Sequence, residues 1–180
     1  MFGLNLVVHK GKTIFVADTS VHEYPTSEQM SEIAISAARV VRLFGFDPKV
    51  AFVSHSTFGQ PLTNRTKHIK KAVDILKEKN VDFEFDGDMQ PDVALNKDYK
   101  NLYPFSKIVG NANILIMPGQ HSAAISYKMM KELGDTKVIG PLLIGLGLPI
   151  EIAPLRTSVS EIINLASIAA YSADVIDYKK

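Results

Sequence analysis

Cysteine is missing from the 180-residue chain, which excludes a disulfide framework, a thiolate metal site and a cysteine nucleophile, and fits a cytoplasmic protein. Long apolar runs are missing too. No stretch reaches the roughly 18 uninterrupted apolar residues of a membrane span. Lys10 and Lys12 cut the opening run Met1-Phe2-Gly3-Leu4 too early for a signal peptide, so no membrane partner is expected. Charge of one sign is scarce: a formal net charge of +1 gives no general attraction to nucleic acid or an acidic surface. Neither G-x-G-x-x-G nor G-x-x-x-x-G-K-S/T occurs, so no self-contained dinucleotide or nucleoside-triphosphate loop is signalled. There is no internal repeat or low-complexity linker. A hydrophobic share of 46% and a charged share of 22% are ordinary for a soluble domain, and the length suits one compact core or one domain plus part of a second.

What is present alternates between strand and helix signals. Leu4 to His9 and Thr13 to Ala17 flank Lys10-Gly11-Lys12 in the manner of a hairpin. A chain that opens on a strand is either a natural start or an excised portion of something longer. Thr26 and Gln29 form a capping box for a helix whose apolar face runs from Met30 through Ile33, Ala37 and Val41 to Phe44, with Gly45 as its stop. Lys49 to Ser54 reads as a strand buried on both faces, and a helix is expected from about Asn64 to Lys79. Val81 to Phe85 is predicted as a further strand and Asp86 to Asp92 as the turn after it. The turn's three carboxylates suit either a hard cation or the capping of the turn and the following helix. The segment lacks the length and terminal glutamate of an EF-hand loop, and no metal site is assigned. Asn113 to Pro118 is a third buried strand, followed by a helix through Leu133 that Gly134 ends. Val138 to Leu148 leads to a final helix, opened by the Ser158/Glu161 capping box and running to about Val175. This order predicts an α/β fold: three α/β/α layers, with helices on both faces of a mostly parallel sheet.

Open α/β sheets bind ligands at the carboxyl ends of their strands. The hydroxyl-rich loop after Val53 therefore nominates Ser54, Ser56 and Thr57 as ligand-binding, Gln90 and Asp92 after the next strand join them, and Asn113, which opens the third buried strand, is a further candidate. Gly140 to Ser158 is the other candidate region, packing two apolar runs between glycines and prolines before delivering Arg156 next to a helix start. A guanidinium beside free N–H groups suits a ligand phosphate.

The blocks FVADTSVHEYPTSEQMSEIAISAARVVRLFGFDPKVAFVSHSTFG, DGDMQPDVAL, GNANILIMPG and GPLLIGLGLPIEI resemble the phosphate acetyl/butyryl transferase family in order and spacing, over nearly the whole chain. The resemblance implies an architecture like that of isocitrate and isopropylmalate dehydrogenases, with an acyl-CoA cleft between two subdomains. Residues 1 to about 139 would form the second subdomain and about 140 to 180 would return to the first, most of which is missing. Where active members hold a serine–arginine pair, this chain has Pro154-Leu155. Arg156 stands one residue late, and Glu161 falls where the family has a catalytic aspartate. A Gly-Asn pair of the family falls on Ala123-Ala124. Losing such groups costs several kcal/mol of barrier, on the order of what one oxyanion donor supplies. The pattern looks like the transferase-like region of large bacterial NADP-dependent malic enzymes. That implies a regulatory, oligomeric module that binds acetyl-CoA beside a malic enzyme catalytic domain. In that parent, NADP and Mg or Mn would serve the conversion of malate to pyruvate, and no cofactor is expected in these 180 residues. The alternative is an active phosphate acyltransferase using Arg156 and Glu161. A third reading is a dimerisation domain that buries the apolar final helix.

Overall fold

A two-residue turn closes the first hairpin, with positive φ at both Lys10 (47°) and Gly11 (75°). In the computed structural model, which describes residues 1–175, β1 (Phe2–His9) and β2 (Lys12–Ala17) pair antiparallel. Phe15 and Ala17 turn to one side of the sheet and Val16 to the other. The chain continues through α1 (Ser27–Leu43), β3 (Lys49–Val53), α2 (Asn64–Glu78), β4 (Glu84–Met89), α3 (Pro91–Leu95) and a 3-10 turn at Lys97–Leu102. It ends through β5 (Ile114–Ile116), α4 (Gln120–Leu133), β6 (Thr136–Ile144), β7 (Ile150–Glu151) and α5 (Val159–Val175). The seven strands form one sheet in the order β4-β3-β5-β2-β1-β6-β7. Four strands, β4, β3, β5 and β2, run parallel, and β1, β6 and β7 extend the sheet antiparallel.

Two cores lie on opposite faces, because successive side chains of a strand point opposite ways. Phe52, Ile114 and Ile116 meet α1, α2 and Leu165 of α5 on one face. Ala51, Val53 and Leu115 meet α3 and α4 on the other. The expected three layers are thus present. The capping boxes at Thr26 and Ser158 are formed as read, with Thr26 Oγ1 accepting from the Gln29 N–H at 3.1 Å and Ser158 Oγ from the Glu161 N–H at 3.3 Å.

β4 corrects the sequence reading. It runs Glu84–Met89 instead of Val81 to Phe85, so Asp86 and Asp88 lie inside a strand and not in a turn. Both carboxylates are buried and hold neighbouring backbone: Asp86 accepts from the Lys107 N–H at 2.8 Å and Asp88 from the Gly59 N–H at 3.0 Å. A polar Asp-Gly-Asp segment reads as a turn locally, but adjacent loops supply the donors that make its burial affordable. β6 likewise stops at Ile144, short of Leu148.

Candidate functional site

The loop after β3 is organised by Asp88. Ser56 Oγ donates to one of its carboxylate oxygens and the Gly59 N–H to the other, while the Phe58 N–H donates to the Asp88 carbonyl at 2.6 Å. Ser56 and Thr57 are buried, and Thr57 Oγ1 accepts from the Gln90 N–H at 3.2 Å. The Gln90 side chain reaches back to the His55 carbonyl at 3.0 Å. Ser54, Ser56, Thr57 and Gln90 therefore come together as the sequence suggests, but most of their polar atoms hold the loop itself. Asp92 is exposed in the first turn of α3. Asn113 stands apart: its Oδ1 accepts from the Lys49 N–H at 2.8 Å and its Nδ2 donates to the Asp47 carbonyl at 2.7 Å. That is the starting edge of β3, about 16 Å of strand away from Ser54.

Arg156 and Glu161 belong to a second locus, beyond β1. β7 pairs only with Leu142 and Leu143, which leaves Val138 to Pro141 of β6 as an uncovered edge. Pro141 suits such an edge because it offers no ladder N–H. Here Gly140 and Pro141 together oppose Asn5 in a bulge, since Leu4 pairs with Leu142 and Leu6 with Ile139. The residue at 140 must be glycine: φ is +128°, and a Cβ would lie 2.9 Å from the Leu4 carbonyl oxygen. Between this edge, the C-terminal half of α4 and the start of α5 lies a cavity of about 350 Å³, lined among others by Tyr127, Lys128, Lys131, Gly140, Arg156 and Glu161. Lys131 ties α4 to α5 through Glu161 Oε1 at 2.9 Å. Ser158 gives Glu161 Oε2 both its N–H, at 2.7 Å, and its hydroxyl, at 2.8 Å. Led by the Ser158 N–H and then the Lys131 ammonium, these donors lower the Glu161 pKa to about 2.

The sequence pointed to Arg156 and Glu161 but missed Lys128, Lys131 and Tyr127. Their spacing on α4 is visible in the sequence; that this face meets α5 across an open strand edge is not. Pro154 also lines the cavity, and Leu155 projects fully into solvent. Among the described residues no group of three or more His, Asp or Glu side chains is arranged to hold a metal ion, and no helix is long and apolar enough to cross a membrane.

A parallel core extended antiparallel, with helices on both faces and a cavity at the β6 edge, defines an α/β/α protein. The comparisons narrow this: the profile of the phosphate acetyl/butaryl transferase family matches residues 1–170, and the chain belongs to that family. It is 47% identical over 173 residues to an NADP-dependent malic enzyme of Rhizobium meliloti, covering 96% of this chain and 23% of that protein. It is 32% identical over 169 residues to the phosphate acetyltransferase of Bacillus subtilis, covering 93% of this chain and 52% of that protein. A phosphotransacetylase from Streptococcus pyogenes superposes with a TM-score of 0.90 at 31% identity, over 96% of this chain and 54% of that one. The chain thus spans about a quarter of the Rhizobium meliloti malic enzyme and about half of the Bacillus subtilis and Streptococcus pyogenes proteins.

Proposed function

We propose that the chain is the phosphotransacetylase-like region of an NADP-dependent malic enzyme, and that it binds acetyl-CoA as a regulatory and assembly module without transferring the acyl group. Glu161 carries the reading. A general base works best with a pKa near the operating pH, whereas this carboxylate is held at about 2 with both oxygens occupied by Ser158 and Lys131. The exposed Leu155 offers no donor to a developing oxyanion at the place where active relatives are expected to hold arginine. Arg156, Lys128 and Lys131 outnumber Glu132 and Glu161 around the cavity, which suits an anionic ligand. The Ser54 loop and β6 are four strands apart, about 19 Å at ordinary strand spacing. Only an extended molecule such as acyl-CoA would touch both. The higher identity to the malic enzyme than to the free-standing acetyltransferase supports the same parent. On this reading NADP and Mg or Mn serve malate oxidation in the catalytic domain of that parent, and the residues described here supply no donor set for the metal.

Calorimetric titration with acetyl-CoA, paired with an acetyl-phosphate transfer assay on the same protein, tests the proposal. Saturable binding without turnover is expected, weakened about tenfold by Arg156→Ala through loss of a charge-assisted contact. Turnover abolished by that substitution would establish a phosphate acyltransferase instead. Neither binding nor turnover would leave assembly as the role.

A further inference from the structure

A second cavity, of about 330 Å³, opens between the first turns of α1 and α2, and it shares no lining residue with the Arg156 cavity. We propose that it binds a small carboxylate with an apolar body, the acid group at Arg65 and the carbon body on Met30 and Ile69. The floor is apolar: Met30 and Ile69 lie beneath it at most 1% exposed, and Pro25 and Pro118 complete the apolar wall. Among the described residues no acidic side chain lines it. Arg65 has no ion-pair partner among the described residues, and its guanidinium carbon lies 5.8 Å from the Tyr24 ring centroid, within cation–π range. The guanidinium is therefore held beside the cavity with its bidentate donors uncommitted to a carboxylate. Glu28, the acid of α1's first turn, does not compete for it, because Lys71 holds its carboxylate at 2.7 Å. The wall is fixed in advance. His68 Nε2 donates to the Pro25 carbonyl at 2.9 Å, His68 Nδ1 lies 3.1 Å from Ser27 Oγ, and that hydroxyl donates to the His68 carbonyl at 2.8 Å. These bonds pin α2 to α1, so little ordering is left for a ligand to impose.

The volume is at the small end of ligand pockets, and the composition divides the ligand's chemistry. One cation at the side with an apolar floor favours a monoanion that carries carbon, over a fully hydrated inorganic anion whose dehydration the floor would not repay. An uncharged molecule of the same shape would leave the guanidinium without a partner.

Met30 provides the readout. With methionine methyl groups labelled with carbon-13, titration with benzoate is expected to shift the Met30 resonance saturably. A Kd of about 1–10 mM is expected, as about nine non-hydrogen atoms allow at ordinary ligand efficiency. Benzyl alcohol in place of benzoate, or Arg65→Ala in place of the wild type, should each weaken the response at least about tenfold. Arg156→Ala, in the other cavity, should leave it intact. An unmoved Met30 resonance, equal binding of benzyl alcohol, an equal response to inorganic phosphate, or loss of the response in Arg156→Ala would each overturn the proposal.

Discussion

Both carboxylate oxygens of Glu161 are occupied before any ligand arrives, and this has a consequence in acid. Glu161 and Glu28 both have pKa values lowered to about 2 from 4.5, the first chiefly by the Ser158 N–H and the second chiefly by Lys71. A carboxylate with a lowered folded-state pKa adds stability that is complete above about 4.5 and is lost as the pH falls toward 2. Glu161→Gln is therefore expected to lower Tm at pH 6 more than at pH 3, so a Tm series across that window should flatten. It should not become level, because Glu28 remains. Gly140→Ala tests the bulge at the same scale. Its positive φ and the nearby Leu4 carbonyl predict a loss of about 2 kcal/mol or more in chemical denaturation.

At the scale of elements, β7 is the weak joint of the sheet. It is two residues long, and Glu151 Oε2 is buried there without a hydrogen-bond partner among the described residues. Val40, Phe44, Leu143, Pro149, Tyr171 and Ser172 line the same small cavity as Glu151, and burial pushes its pKa up to about 7. The sign is opposite to that of Glu161. With the neutral form favoured in the folded state, stability is fullest below about 4.5, declines as the pH rises toward 7 and stays lower above it. Glu151→Gln should remove that decline, raising Tm at pH 8 while changing it little at pH 5, as measured by thermal denaturation. Because β7 leads through the Arg156 loop into α5, the same variant should tighten the loop that borders the cavity. Thr26→Ala acts on a different element: loss of the α1 cap should cost about 1 kcal/mol.

At the scale of the molecule, two helices on the same face of the sheet are unequally covered. α1 buries Met30, Ala34, Ala37 and Val41 almost completely, whereas α5 leaves Val159, Ile162 and Ile163 largely outside, and Leu155 and Leu148 in the segment before it are exposed too. Large apolar side chains left exposed on one helix favour association. Sedimentation velocity is expected to show self-association, and Ile163→Glu is expected to shift the chain toward monomer. An unchanged sedimentation profile in that variant would remove α5 from the contact.

Local chemistry by itself determined the hairpin, the helices α1, α2, α4 and α5, the two capping boxes and the α/β class, because apolar period, turn residues and cap hydroxyls act within a few residues of one another. It also singled out Arg156 and Glu161. Only the tertiary structure decided which polar groups were free. Ser56 and Thr57 looked available for a ligand until Asp88 and Gln90 arrived beside them from the neighbouring strand. Asn113 was a ligand candidate until the parallel alignment of β5 with β3 brought the Lys49 N–H and the Asp47 carbonyl to its amide. Lys131 became Glu161's partner only when α4 and α5 met across the open side of β6. The physical reason is the same in each case. A hydrogen bond or an ion pair depends on what lies within about 3 Å in space, and for these residues that neighbour is tens of positions away in the chain.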